Sequence, residues 1–261
     1  MARLRAADKT AEMNAALAAF SVAPALAIGS FLNVVAARLP ERRSLVRPAS
    51  ACPSCDFAIA WRDNIPVLSY LLLRGRCRSC GAGISARYLA VELSTAILVA
   101  GCFLRFGFTG RAFVGSFFVS VLVVLSAIDV ERRILPNRIV LPSAAVAFAA
   151  QLALYPDQAL EWTFGALGAS LFLFLALLAY PAGMGMGDVK LALLLGAVLG
   201  KNVAAGMMIG MVAAMLLGIF LFIRHGKAAR KMAIPFGPFL AFGAIVALFW
   251  GDLIMDAYLN R

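Results

Sequence analysis

The chain has 261 residues, of which 63% are hydrophobic and only 14% charged, and its mean hydropathy is +0.91. Soluble domains lie nearer 45–50% apolar and about 25% charged, so a soluble globular protein is excluded. The excess of 24 basic over 13 acidic residues would suit nucleic acid in a soluble chain; in one this apolar it reads as the basic bias of cytoplasmic loops, with the lipid bilayer and no nucleic acid as partner.

Apolar runs of membrane-spanning length recur along the sequence and predict an all-α integral membrane protein of about eight transmembrane helices. Residues 1–13 are polar and carry Arg3, Arg5 and Lys9, and the first span is expected at 14–37. Residues 38–87 form the one long polar segment, with nine arginines and four of the five cysteines. Further spans are expected at 88–105, 112–130, 138–155, 163–182, 188–200, 202–223 and 236–257. This divides the chain into a tail with the first helix (1–37), a loop (38–87) and a seven-helix core (88–261). Loops 38–87, 131–138 and 224–231 hold nine, three and four basic residues and fall on one side of the membrane in this count. The rule that basic loops stay inside makes that side cytoplasmic. No internal repeat stands out.

Within the loop, Cys52-Pro53-Ser54-Cys55 and Cys77-Arg78-Ser79-Cys80 form two C-x2-C pairs separated by 21 residues. Each pair can present two thiolates to one tetrahedral zinc, and a cytoplasmic setting disfavours disulfides. Cys52, Cys55, Cys77 and Cys80 are therefore expected to hold a structural zinc with no open coordination position. Cys102, inside an apolar span, reads as packing.

Thirteen acidic residues are few enough to sort by place. Most lie in polar tails and loops, and Glu131 neighbours Arg132 and Arg133. Glu92, Asp129 and Asp188 remain at the inner edges of apolar segments. Glu92 reads as a structural partner of Arg87. Asp129 closes one span and Asp188, in Gly183-Met184-Gly185-Met186-Gly187-Asp188-Val189-Lys190-Leu191, opens another, so both are expected at the same depth. An ionisable group inside a span is costly and marks function. Two close carboxylates cannot both ionise cheaply and titrate as a unit, which suits aspartic-protease chemistry. No zinc-protease helix or serine elbow competes. Unrelated aspartates at helix ends and proton-coupled transport stay open as alternatives.

These motifs together resemble the type IV prepilin peptidases, bifunctional membrane aspartic proteases with a Gly-x-Gly-Asp motif. The resemblance runs from Ala27 to Ala241 through Gly29-Ser30-Phe31-Leu32-Asn33, Arg38-Leu39-Pro40, both cysteine pairs, Asp63-Asn64-Ile65-Pro66 and Ile84-Ser85-Ala86-Arg87-Tyr88. It continues through Asp129 with Leu135-Pro136-Asn137, Gly185 to Leu191, and Ile234-Pro235-Phe236-Gly237-Pro238. It implies cleavage of prepilin and pseudopilin leaders after a glycine on the cytoplasmic side, with Asp129 and Asp188 as the catalytic pair. It also implies methylation of the new N-terminal amine from S-adenosylmethionine, and a bacterial plasma membrane location. No cofactor loop is legible; Gly75, in the turn before the second cysteine pair, is a candidate for the methyl donor by position alone. The alternative from another class is an ion-coupled transporter with a zinc-stapled cytoplasmic loop.

Overall fold

The computed structural model describes residues 2–181, 184–226 and 234–259, with side chains from residue 9 to residue 258. Gly183 and the basic residues Lys227, Arg230 and Lys231 lie outside these, as do the side chains of Arg3 and Arg5. Among the described residues the protein is almost wholly helical, with no strand and two isolated bridges, Ala51 with Ala58 and Arg76 with Gly83. Seven stretches among the described residues are long and apolar enough to cross a membrane, so this is a multi-pass membrane protein.

The helices are α1 (Ala2–Arg38), α2 (Leu68–Leu72), α3 (Ala86–Phe106), α4 (Gly110–Arg132), α5 (Asn137–Leu154), α6 (Ala159–Ala179), α7 (Met186–Leu199), α8 (Val203–His225) and α9 (Gly237–Leu259). α1 begins well before the expected span: the polar tail is itself helical, because its Ala, Glu, Met and Lys residues favour helix and no breaker intervenes. One membrane-length stretch, Met186–His225, spans 40 residues and contains both α7 and α8. They part at Gly200, whose φ of +53° ends α7 in a backbone region that favours glycine.

The chain forms two units, Met1–Ala127 and Ile128–Arg261. In the first, α1 packs along α3. Gly29 makes the close approach possible: a Cβ there would stand 2.8 Å from the Glu92 Cα. One turn further on, the Asn33 amide donates to the Tyr88 carbonyl at 3.0 Å. The Phe113 ring stands edge-on to Phe103 and Phe108 at 5.4 and 5.2 Å.

In the second unit α7 is the hub, packed against α5, α6 and α9, while α8 pairs with α9. Small residues set these contacts, as they do wherever helices meet without a hydrophobic difference between protein and lipid. Gly196 lies against the Gly165 backbone across α6 and α7, and Gly206 and Gly210 lie against Gly243 and Phe239 across α8 and α9. Buried amides fasten the end of α7, where Gln151 donates to the Val198 carbonyl at 3.0 Å. Asn202 donates to Asp252 at 2.8 Å, a contact that holds the start of α8 to α9.

Candidate active site

Asp129 lies three residues before the end of α4, which closes where Arg133, at φ +55°, donates its N–H to the Asp129 carbonyl at 2.8 Å. The chain turns through Ile134 and Leu135 and restarts as α5 after Pro136, whose fixed φ of −66° suits the cap position. Asp188 occupies the first turn of α7, and its carboxylate reaches back to accept the Gly185 N–H at 3.2 Å. That bond satisfies one of the donors a helix start leaves unpaired. Both aspartates are buried, 6% and 9% exposed. Helix-end side chains that snorkel to water would be open.

Two glycines close the arrangement. The Gly237 N–H, at the start of α9, donates to Asp129 Oδ2 at 2.9 Å across 108 positions of sequence. A Cβ on Gly237 would meet that oxygen at 2.8 Å and Leu135 Cδ2 at 3.4 Å. A Cβ on Gly187 would meet Leu135 Cβ at 3.0 Å. Leu135 thus touches both the glycine that holds Asp129 and the glycine that precedes Asp188. The two carboxylates are close enough to act on each other electrostatically. Neither belongs to an ion pair among the described residues. Lys190, two residues after Asp188, donates to Asn137 Oδ1 at 2.9 Å and ties α7 to the start of α5. From the other side the Ser170 hydroxyl donates to the Val189 carbonyl at 3.1 Å. Gly237 and Lys190 sit within the sequence motifs, but nothing in sequence shows that one holds Asp129 and the other fixes the Leu135 turn.

The cysteine loop belongs to the first unit. Its two halves are a structural repeat at an offset of 25 residues, marked in sequence by the shared C-x-S-C and by Ile59 and Ile84. Cys52 and Cys77 donate their N–H to the carbonyls of Phe57 and Ala82, and Asp56 and Gly81 donate back to those of Cys52 and Cys77. Asp56 and Gly81 both take positive φ, 53° and 72°. The four Sγ atoms lie within 4.8 Å of one another, and Cys52 Sγ is 3.8 Å from Cys80 Sγ. A tetrahedral zinc with Zn–S bonds of about 2.3 Å separates its sulfurs by about 3.8 Å, so the thiols fit that metal. N–H groups of Cys80 and Ser79 pull the Cys77 thiol down to about 7. At Cys80 the Ala82 N–H favours the thiolate, but the crowded thiols, Cys55 foremost, and burial outweigh it and push the group up to about 11. A divalent cation would relieve that crowding.

The rest of the loop is braced by side chains. Arg78 grips both oxygens of Asp63, with contacts of 2.7 to 3.0 Å, and this hydrogen bonding holds the Asp63 carboxyl below its usual range. Glu92, expected to answer Arg87, accepts the Val67 N–H at 2.7 Å and so anchors the loop to α3. Gly75, at φ +66°, has both backbone groups engaged, with Tyr70 and Ile84, and its Cβ position faces the Tyr70 ring at 3.0 Å. The turn alone accounts for a glycine there.

Comparison with known proteins agrees with this layout. Residues 24–106 match the bacterial peptidase A24 N-terminal domain and residues 116–223 match the type IV leader peptidase family. The first range contains all four loop cysteines and the second contains Asp129 and Asp188. The prepilin leader peptidase/N-methyltransferase of Bacillus subtilis strain 168 is 37% identical over 239 residues, covering 90% of this chain and 95% of that one. The protein of that name from Pseudomonas aeruginosa is 36% identical, covering 90% and 91%. That from Myxococcus xanthus is 38% identical, covering 79% and 63%. No solved structure matches the chain.

Proposed function

This chain belongs to the type IV leader peptidase family, and from that we propose that Asp129 and Asp188 are the catalytic pair with which it cuts prepilin leaders. The chain is a prepilin leader peptidase and N-methyltransferase. The observation that carries the assignment of residues is the presence in the second unit of two buried carboxylates with no ion-pair partner among the described residues, each held through Oδ2 by a glycine N–H. The comparisons give the ion-coupled transporter no support.

One carboxylate takes a proton from water as the water oxygen attacks the carbonyl carbon of the leader's last glycine. The other gives its proton to the departing amine nitrogen, the C–N bond breaks, and a leader acid and a free N-terminal amine result. The backbone bonds to Gly185 and Gly237 keep the carboxylates from rotating, which is the positioning such a reaction requires. Glycine at 185 leaves no side chain beside Asp188 to obstruct an extended substrate.

Pseudopilins enter the same site, since they present the same junction of leader and apolar helix. The basic bias of the loops supports a cytoplasmic orientation for both the catalytic pair and the cysteine loop, in the bacterial plasma membrane, the inner membrane of a Gram-negative cell. Residues 1–37, 38–87 and 88–261 act as anchor, zinc loop and protease core. Cys52, Cys55, Cys77 and Cys80 hold a structural zinc. S-adenosylmethionine supplies the methyl group for the new amine, with Gly75 as a candidate position for the donor.

The test is to incubate purified protein with a prepilin and weigh the product, with and without S-adenosylmethionine. Loss of the leader in both mixtures, with one added methyl group only in the second, is the expected result. Intact prepilin in both would overturn the reading.

A further inference from the structure

The cysteine loop exposes an apolar face that neither zinc binding nor cleavage explains. Leu68, Leu71 and Leu72 follow the i, i+3, i+4 spacing of one helix face on α2, and all three are exposed. The other side of α2 is committed to the loop: Ser69 is buried and bonded to Arg62 and Ile65, and Tyr70 reaches the Ile84 carbonyl. Trp61 is 83% exposed and Leu72 73%.

The position of α2 is fixed independently by Glu92. Its buried carboxylate holds the Val67 N–H, which caps α2. Glu92 lies six residues into α3, and at 1.5 Å per residue that is about 9 Å along the helix. α3 is itself of membrane-spanning length and composition from Ala86 onward. The start of α2 is therefore held beside the first turns of an apolar span, close to the boundary layer in which interfacial helices rest. The charges around it fit the same surface. The loop has nine arginines against three acidic residues. Two of those acids, Glu41 and Asp63, are already paired with Arg43 and Arg78. Arg62, Arg74 and Arg76, which flank Trp61 and α2, are exposed.

We propose that the cysteine loop is seated on the anionic membrane surface, with Trp61 and the Leu68, Leu71 and Leu72 face of α2 in the headgroup layer and the flanking arginines on lipid phosphates. The inference is independent of the catalytic pair. The loop leaves one stretch of membrane-spanning length, α1, and enters another, α3, so the bilayer surface is the apolar partner continuous with this face. An arginine beside an anionic headgroup layer is attracted to it.

The test uses the full-length chain in phosphatidylglycerol vesicles whose acyl chains carry bromine near the headgroup. Trp61 emission is taken as the difference between wild type and Trp61→Phe, an exposed position whose change spares the fold. The expected result is that brominated lipid quenches the larger part of this emission, aqueous acrylamide quenches little of it, and the lipid effect weakens in phosphatidylcholine. Leu71→Glu with Leu72→Glu should reverse the preference between the two quenchers. Quenching of Trp61 by acrylamide but not by brominated lipid would overturn the proposal. So would shielding that appears only when prepilin is added, which would make the face a substrate surface.

Discussion

Gly237→Ala tests how tightly the site is positioned. The residue starts α9, and its backbone does not need positive φ, so alanine is not excluded by conformation. Only space is lacking: the new Cβ would lie 2.8 Å from Asp129 Oδ2 and 3.3 Å from its Cγ. Ordinary contact begins near 3.4 Å, so the carboxylate must move by about 0.6 Å or turn away and give up the Gly237 N–H. A displacement of about 1 Å in a catalytic constellation costs on the order of 100-fold in rate. Cleavage should therefore slow by about 10- to 100-fold, or about 1.4–2.7 kcal/mol, with the loss in kcat rather than KM. The assay is steady-state cleavage of prepilin by purified variant, with bound metal and thermal unfolding as controls on folding. Gly218→Ala, where a Cβ meets nothing within 4 Å, is the matched control and should leave the rate unchanged. Normal cleavage by Gly237→Ala, or an equal loss from Gly218→Ala, would refute the reasoning.

The remaining predictions concern the first unit. Cys77→Ser should abolish stoichiometric zinc, measured by elemental analysis, and make residues 38–87 sensitive to protease, because structural zinc supplies folding free energy of about 10 kcal/mol or more. Gly29→Ala sets a Cβ 2.8 Å from the Glu92 Cα, a backbone atom that cannot rotate aside, and overpacking of this kind costs about 1–3 kcal/mol. A lowered unfolding temperature in detergent is the readout, and an unchanged one contradicts the packing. Asp63→Asn should speed amide exchange between Arg62 and Arg78. The Arg78 hydrogen bonds lower the folded Asp63 pKa below 3.8, so its contribution is present above the unfolded value and fades only as pH falls through the lower folded one. The difference between wild type and variant should stay constant from about pH 8 to pH 5, where an unperturbed aspartate is already ionised. A difference that closes within that range would contradict the sign.

The sequence made some of this legible and hid the rest for physical reasons. Asp129 and Asp188 stood out because an acidic residue at the end of an apolar run is rare, and the topology count set them at one depth. Their partners did not stand out. A backbone N–H leaves no mark on residue identity, so the hold of Gly237 on Asp129 and of Val67 on Glu92 could be seen only in the fold. Glu92 reads in sequence as a structural residue, and its buried carboxylate does bind the loop backbone, at a Val67 N–H that sequence does not single out. The cysteine spacing was enough to predict four converging ligands, and the C-x-S-C-x3-I shared by the two halves becomes a backbone repeat in their hydrogen bonds and in the positive φ of Asp56 and Gly81. The break at Gly200 was foreshadowed by the shortness of the apolar run after Asp188. The polar composition of residues 1–13 suggests a tail, yet its residues favour helix and α1 starts at Ala2.

The central claim is that Asp129 and Asp188 together perform the cleavage, and the direct measurement is prepilin processing by purified Asp129→Asn and Asp188→Asn variants, followed by mass. Each exchange keeps the side-chain shape and the acceptor for its glycine N–H while removing the charge. Both variants should fold and bind zinc as wild type does yet leave prepilin uncut. Normal processing by either variant would contradict the account.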